Sequence, residues 1–331
     1  MRVLVAPDSF KGSLSAADAA TAIATGWRTQ RPDDDVVEMP QADGGEGTLA
    51  AIERSVPGAV RRSVGPVTGP AGLPVAGEWL RLPDGTAVVE MAQMSGITLM
   101  PMLDALGATS QGLGEVIAAV LDSGVGRLVV ALGGSASTDG GSAALAAIGV
   151  RRPPAGGAVL LTDVTNPLLG RDGAAHVFGP QKGASTEQVR ALERRLTQFA
   201  TRIGADPTVP GAGAAGGAAY GLHAWGAGIE SGAAAVADLT GLAAQAPTAD
   251  IIITGEGRYD RQSLHGKVVG HALGYATPLM LIAGSVRHEF SGWSCDLSRL
   301  AGSSSDAMRD TTHWLTAAGA AAAKTVLQPA S

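Results

Sequence analysis

Residues 251–267 gather the side chains that do chemistry. The run is Ile251-Ile252-Ile253-Thr254-Gly255-Glu256-Gly257-Arg258-Tyr259-Asp260-Arg261-Gln262-Ser263-Leu264-His265-Gly266-Lys267, in a chain otherwise dominated by small and aliphatic residues. Three consecutive β-branched residues read as a buried strand of a parallel sheet. Gly255 and Gly257 are expected to turn the backbone and let it approach a ligand. A helix is expected from about Ser263. Ligands of α/β sheets bind beyond the carboxyl ends of strands, so Glu256, Arg258 and Asp260 fall where reacting groups usually sit. Taken alone, the same residues would also serve as a solvated loop with local ion pairs.

The device recurs along the chain. A strand over 2–7 leads into Asp8, Ser9 and Lys11. Ser15 with Asp18 then forms a helix-opening signature, and a helix is expected over 16–29. A strand end facing a helix start suits anions. A strand over 35–39 leads into Asp43-Gly44-Gly45-Glu46-Gly47, whose carboxylates and free backbone suit Mg²⁺, which takes one or two carboxylates plus water and phosphate oxygens. A strand over 127–132 ends in Gly133-Gly134-Ser135-Ala136-Ser137-Thr138-Asp139-Gly140-Gly141, ahead of an Ala-rich helix. That loop reads as a phosphate cradle. It lacks the Gly-Lys-Ser or Gly-Lys-Thr ending of a P-loop. Asp163 closes a strand over 158–162 as a metal-ligand candidate, and Lys182, between Gln181 and Gly183, is placed to neutralise phosphate unless it is a surface lysine. A helix capped by Thr186 follows. Gly211-Ala212-Gly213-Ala214-Ala215-Gly216 fits the G-x-G-x-x-G spacing, but Pro207 and Pro210 stand where a dinucleotide fold needs a strand. It reads as a tightly packed Gly/Ala helix start.

These loops need two sheets to carry them. Strands over 59–67, 75–82 and 86–91 look antiparallel, with Pro83-Asp84-Gly85 as a turn, and suggest a bridge between domains. Glu90 interrupts an apolar strand and must be paired or functional. A last strand is expected over 278–283 and a closing helix over 304–326. The 331 residues favour two domains, and 45% hydrophobic against 16% charged residues describe a globular chain. A net charge of −6 gives no electrostatic case for nucleic acid or an anionic membrane. The single cysteine, Cys295, excludes an internal disulfide. No apolar run approaches a signal peptide or a membrane span, so the cytoplasm is the expected compartment.

Several of these loops, in this order, resemble the bacterial type 1 glycerate kinase family. The matching pieces are Ala6-Pro7-Asp8-Ser9-Phe10-Lys11-Gly12-Ser13-Leu14-Ser15-Ala16, Ala42-Asp43-Gly44-Gly45-Glu46-Gly47-Thr48, the 133–141 loop and Asp163-Val164-Thr165-Asn166-Pro167-Leu168. Phe178-Gly179-Pro180-Gln181-Lys182-Gly183-Ala184, the stretch 210–217 and Ile253-Thr254-Gly255-Glu256-Gly257-Arg258 continue the match through Asp260, Gln262, Ser263, His265 and Lys267. Residues 151–157 and the part after Ser285 look shorter than the family's pattern, which bears on the site wall and on oligomer contacts.

The resemblance implies an α/β fold of two domains, one Rossmann- or flavodoxin-like with a parallel sheet, the other an inserted mixed α/β domain, with the site in the cleft between them. The expected division is residues 1–86 plus 278–331 against 87–277. The implied reaction is ATP-dependent phosphorylation of D-glycerate to 2-phosphoglycerate with Mg²⁺; a 3-kinase, a kinase of a related hydroxy acid, or a silent sugar-acid-binding regulator on the same scaffold are the alternatives. Phosphoryl transfer needs a metal, cations for the phosphates and a group to take the hydroxyl proton. On that reading Asp43, Glu46 and Asp163 are the metal residues. Asp8, Lys11, Arg258, Asp260 and Lys267 are the catalytic set, with Asp260 or Asp8 accepting the proton. Ser9, Gly133, Gly134, Ser135, Thr138, Asp139, Lys182, Glu256 and His265 bind substrate or nucleotide. The partners are small molecules only, and a homodimer stays open.

Overall fold

The computed structural model describes residues 1–264 and 266–326. Contacts divide the chain into two compact units: Met1–Asp43 with Ala50–Pro57 and Ala233–Ser331, and Gly44–Leu49 with Gly58–Gly232.

The first unit is built on a five-stranded sheet. Its strands are β1 (Arg2–Val5), β2 (Asp35–Glu38), β9 (Ile251–Tyr259), β10 (Leu279–Val286) and β11 (Ser294–Asp296), in the order β11-β10-β9-β1-β2. Every pairing is parallel. Val3, Val5, Ile251, Ile253 and Ile282 bury one face, as expected for strands covered by helices. The helix Ala16–Gln30 is capped by the Ser15 side chain, which accepts from Asp18 N. It packs on the helix Thr311–Thr325 at a distance only glycine allows: a Cβ at Gly26 would run into Thr316 O, and one at Gly319 into Ile23 O. The closing helix expected over 304–326 is two helices, Ser304–Arg309 and Thr311–Thr325. Asp310 leaves helical geometry between them, and its side chain caps the second at His313 N.

The second unit carries a six-stranded mixed sheet in sequential order: β3 (Val60–Thr68), β4 (Pro74–Arg81), β5 (Thr86–Glu90), β6 (Arg127–Ala131), β7 (Ala158–Leu161) and β8 (Gly228–Glu230). β3, β4 and β5 pair antiparallel, and from β5 onward the pairings through β8 are parallel. The expected boundaries at 86/87 and 277/278 therefore move. Residues 60–81 hydrogen-bond into the sheet of β5 and are part of it, not a bridge, while β9 pairs β1 and belongs to the first unit. Glu90 is the paired residue its position demanded: Oε1 accepts from Gly47 N at 3.0 Å and Oε2 from Leu49 N at 2.8 Å, at the start of the helix Thr48–Ser55. The helix Thr186–Ile203 is capped by Ser185, one residue before the expected Thr186, in a full capping box with Gln188. No described helix is long and apolar enough to cross a membrane.

Candidate active site

The stretch 251–259 is one unbroken strand, not a strand and a glycine loop. β9 pairs β10 through Tyr259, opposite Val286. Gly255 is needed because a Cβ there would run into Ile282 O. Side chains alternate along a strand, so Thr254, Glu256 and Arg258 share one face. The backbone leaving β1 follows the same strand: Ala6 N donates to Ile253 O at 2.7 Å and Asp8 N to Gly255 O at 2.8 Å. Asp8 is thereby fixed beside Glu256. A tight turn, closed by Phe10 N to Leu14 O at 2.9 Å, then carries Lys11 and Ser13.

These elements enclose a cavity of about 310 Å³ in the first unit. Of the residues singled out in the sequence, Asp8, Ser9, Lys11, Asp43, Glu256, Arg258 and Lys267 line it. Asp8 and Glu256 are buried, at 8% and 6% exposure. Burial, reinforced by Asp43 and Glu256, pushes the Asp8 carboxyl up to about 7 against the opposing Ser9 N–H and Lys11. Burial likewise raises Glu256, whose Oε1 has no hydrogen-bond partner among the described residues. Clustered carboxylates with raised pKa, faced by cations in a cavity, mark a site that handles protons, cations and anions together. Arg258 Nε lies 3.0 Å from Asp260 Oδ2. Asp260 itself does not line the cavity; its Oδ1 accepts from Gln262 N at 2.9 Å. His265 lies outside the described residues.

Sequence reasoning missed the opposite wall. Ser285, Ser298, Ser304, Met308 and Thr311 line it, from the end of β10 and the C-terminal helices. Ser298 Oγ donates to Gly284 O at 2.6 Å, and Ser304 Oγ to Ser298 Oγ at 3.1 Å. Only Ser285, at a strand end, carried a signal that could have found it.

A second cavity, about 460 Å³, lies within the second unit. Gly133, Gly134, Ser135 and Lys182 line it, together with Ala214, Ala215 and Gly216 of the turn that follows Gly211. Lys182 is not a surface lysine. It is 3% exposed, and its Nζ donates to Ser135 Oγ at 2.8 Å and Ser137 O at 2.5 Å. Burial lowers its pKa to about 7, with Asp139 opposing. Ala215, at φ 55°, is the one non-glycine residue in the left-handed region among the described residues. Asp139 and Thr138 stand behind this wall. Asp139 Oδ2 accepts from Ser110 N and Oγ, and Oδ1 from Gly141 N, so its carboxylate braces the loop. Thr138 is fully buried, and Arg195 Nη2 donates to its carbonyl at 2.5 Å.

Each of the three metal candidates has its own surroundings. Asp43 lines the first cavity, Glu46 is exposed, and Asp163 Oδ1 accepts from Ser231 Oγ at 2.9 Å and Gly232 N at 2.8 Å. Among the described residues no group of three or more His, Cys, Asp or Glu side chains is placed to hold a metal.

A parallel-sheet unit and a mixed-sheet unit, each with a cavity lined by charged residues near its strand ends, where ligands of such sheets bind, define a two-unit α/β protein. The profile of the glycerate kinase family matches residues 3–160 and 157–327. The glycerate 2-kinase of Escherichia coli is 40% identical over 328 residues, covering 86% of each chain. An uncharacterized protein of Mycobacterium bovis is 46% identical over 305 residues, covering 86% of this chain and 79% of its own. The crystal structure of a putative glycerate kinase 2 from Salmonella typhimurium superposes with a TM-score of 0.83 at 34% identity, over 99% of this chain and 98% of that one. The chain belongs to the glycerate kinase family, and its class of activity is that of a kinase.

Proposed function

We propose that the protein transfers the γ-phosphoryl group of ATP to the 2-hydroxyl of D-glycerate, giving 2-phosphoglycerate, with Mg²⁺ as the metal. The observation that carries this reading is the first cavity. It sets Lys11, Arg258 and Lys267 with Asp8, Asp43 and Glu256 in a space of small-molecule size. The similarity to a glycerate 2-kinase supports the choice of the 2-hydroxyl.

In this reading the cations hold the glycerate carboxylate and screen the phosphoryl group in flight, where electrostatic stabilisation is worth most. Asp8 takes the hydroxyl proton. Its Oδ1 is occupied by Ser9 N at 2.6 Å, which leaves Oδ2 for the substrate. A carboxyl near 7 is matched to general-base work at neutral pH. Asp260 orients Arg258 through their ion pair. The oxygen donors of Asp43 and Glu256, with Glu256 Oε1 buried and without a hydrogen-bond partner among the described residues, fit a hard cation that completes its shell with water and phosphate oxygens. When bound, Mg²⁺ supplies charge neutralisation on the phosphates. Asp43 and Glu256 share the first cavity and are the pair assigned to the metal here, with Glu46 and Asp163 kept as further candidates. The second cavity, with Lys182 and the 133–135 turn, takes the phosphates of the donor. The retained carboxylates count against a silent regulator.

ADP release, measured with and without D-glycerate and across a panel of hydroxy acids, tests the assignment. Release stimulated by D-glycerate above the rest of the panel is expected. No stimulation by D-glycerate would refute it.

A further inference from the structure

We propose that Phe178 is the platform on which the nucleotide base stacks in the second cavity. The inference rests on the assignment of the phosphate donor to that cavity. The phosphates need only the 133–135 turn and Lys182, yet the cavity is about 460 Å³ and much of its wall is apolar: Ile97, Leu132, Val164 and Phe178. Apolar walls with a few placed polar groups are what a heteroaromatic ligand requires, and a phosphate chain has no use for them.

Within that wall Phe178 is the only aromatic residue. It is half-buried and takes part in no ring pair among the described residues. Its place follows from the local fold. It ends the helix Ala174–Phe178, and the tight turn Pro180–Lys182 comes directly after. One short stretch therefore presents a ring, the Gln181 amide and the Lys182 ammonium to one cavity. A ring four residues from a phosphate-facing ammonium matches a ligand with an aromatic base at one end and phosphates at the other.

Isothermal titration of the full chain with ADP and with inorganic tripolyphosphate tests this. Replacing Phe178 by Ala or Leu is expected to raise the Kd for ADP about tenfold, the scale of one base–aromatic stack. The Kd for tripolyphosphate should not change, and Phe178→Trp should restore ADP binding. The Leu variant keeps most of the side-chain volume and decides the matter if the Ala variant does not fold. An unchanged Kd for ADP in the Leu variant, or tripolyphosphate weakened as much as ADP, would overturn the proposal. If the wild type phosphorylates D-glycerate from ATP while these variants bind ADP normally, this assignment alone falls. If the wild type binds no nucleotide, the functional reading falls with it.

Discussion

Arg258 Nε lies 3.0 Å from Asp260 Oδ2, yet the two side chains face different surroundings. Arg258 is 69% exposed and lines the first cavity; Asp260 is 26% exposed and does not. An ion pair this open contributes about 0–1 kcal/mol to folding. Arg258 shares its cavity with Lys11 and Lys267, and the proposed function gives the pair a different use, the aiming of a guanidinium.

Asp260→Asn should accordingly leave the melting temperature within a few degrees of wild type and lower kcat/KM on the order of tenfold or more. Arg258→Ala should cost more, on the order of a hundredfold. The double substitution should cost little beyond Arg258→Ala alone, since groups acting as one unit are non-additive. Asp260→Asn with wild-type turnover and a melt several degrees lower would make the pair structural.

Lys11→Ala removes a cation from an exposed loop. Stability should change by about half a kcal/mol or less. Activity should fall roughly a hundredfold, equivalent to about 3 kcal/mol of lost transition-state stabilisation. Steady-state kinetics beside a thermal melt separate the two effects; unaltered kinetics would return Lys11 to the status of a surface charge.

Much of this was legible in the sequence, and the misses have physical causes. The β-branched run 251–253 announced β9, and the alternation of Thr254, Glu256 and Arg258 with Gly255, Gly257 and Tyr259 was visible too. The glycines read as a turn because nothing in the sequence says that Ile282 O lies where a Cβ at Gly255 would stand. β8 and β11 are three residues each, too short to show a period. Ser298 and Ser304 reach the cavity through tertiary packing, Ser298 by its hydrogen bond to Gly284 O and Ser304 by its bond to Ser298, which no local pattern carries. Asp139 looked like a ligand residue by type, and its carboxylate is taken by Ser110 and Gly141.

Lys182 gives a pH dependence with a definite sign. Its pKa falls from 10.5 to about 7 on folding. Between those values the folded chain binds fewer protons than the unfolded one, so this group's contribution to stability rises with pH across that window and is lost as pH falls back through 7. Denaturant titrations at pH 6.5 and 9 should show that gain in the wild type and a smaller one in Lys182→Met. ADP affinity should move the other way, weakening as the ammonium deprotonates above about pH 7. Identical pH slopes in both proteins would contradict the assignment of this lysine.

Excess EDTA should abolish turnover, and Mg²⁺ should restore it. Asp43→Asn should raise the Mg²⁺ concentration needed for half-maximal rate on the order of tenfold, with a smaller effect on the KM for D-glycerate. Full activity in EDTA would remove the metal from the account, and an unchanged Mg²⁺ requirement in the variant would remove Asp43 from its ligands.

The most direct test is to incubate the purified protein with ATP, Mg²⁺ and D-glycerate and couple the product to enolase with no phosphoglycerate mutase present. Immediate formation of phosphoenolpyruvate, with the matching phosphorus resonance of a 2-phosphate, is the predicted result. A product that enolase accepts only after mutase is added would be the 3-phosphate and would contradict the account.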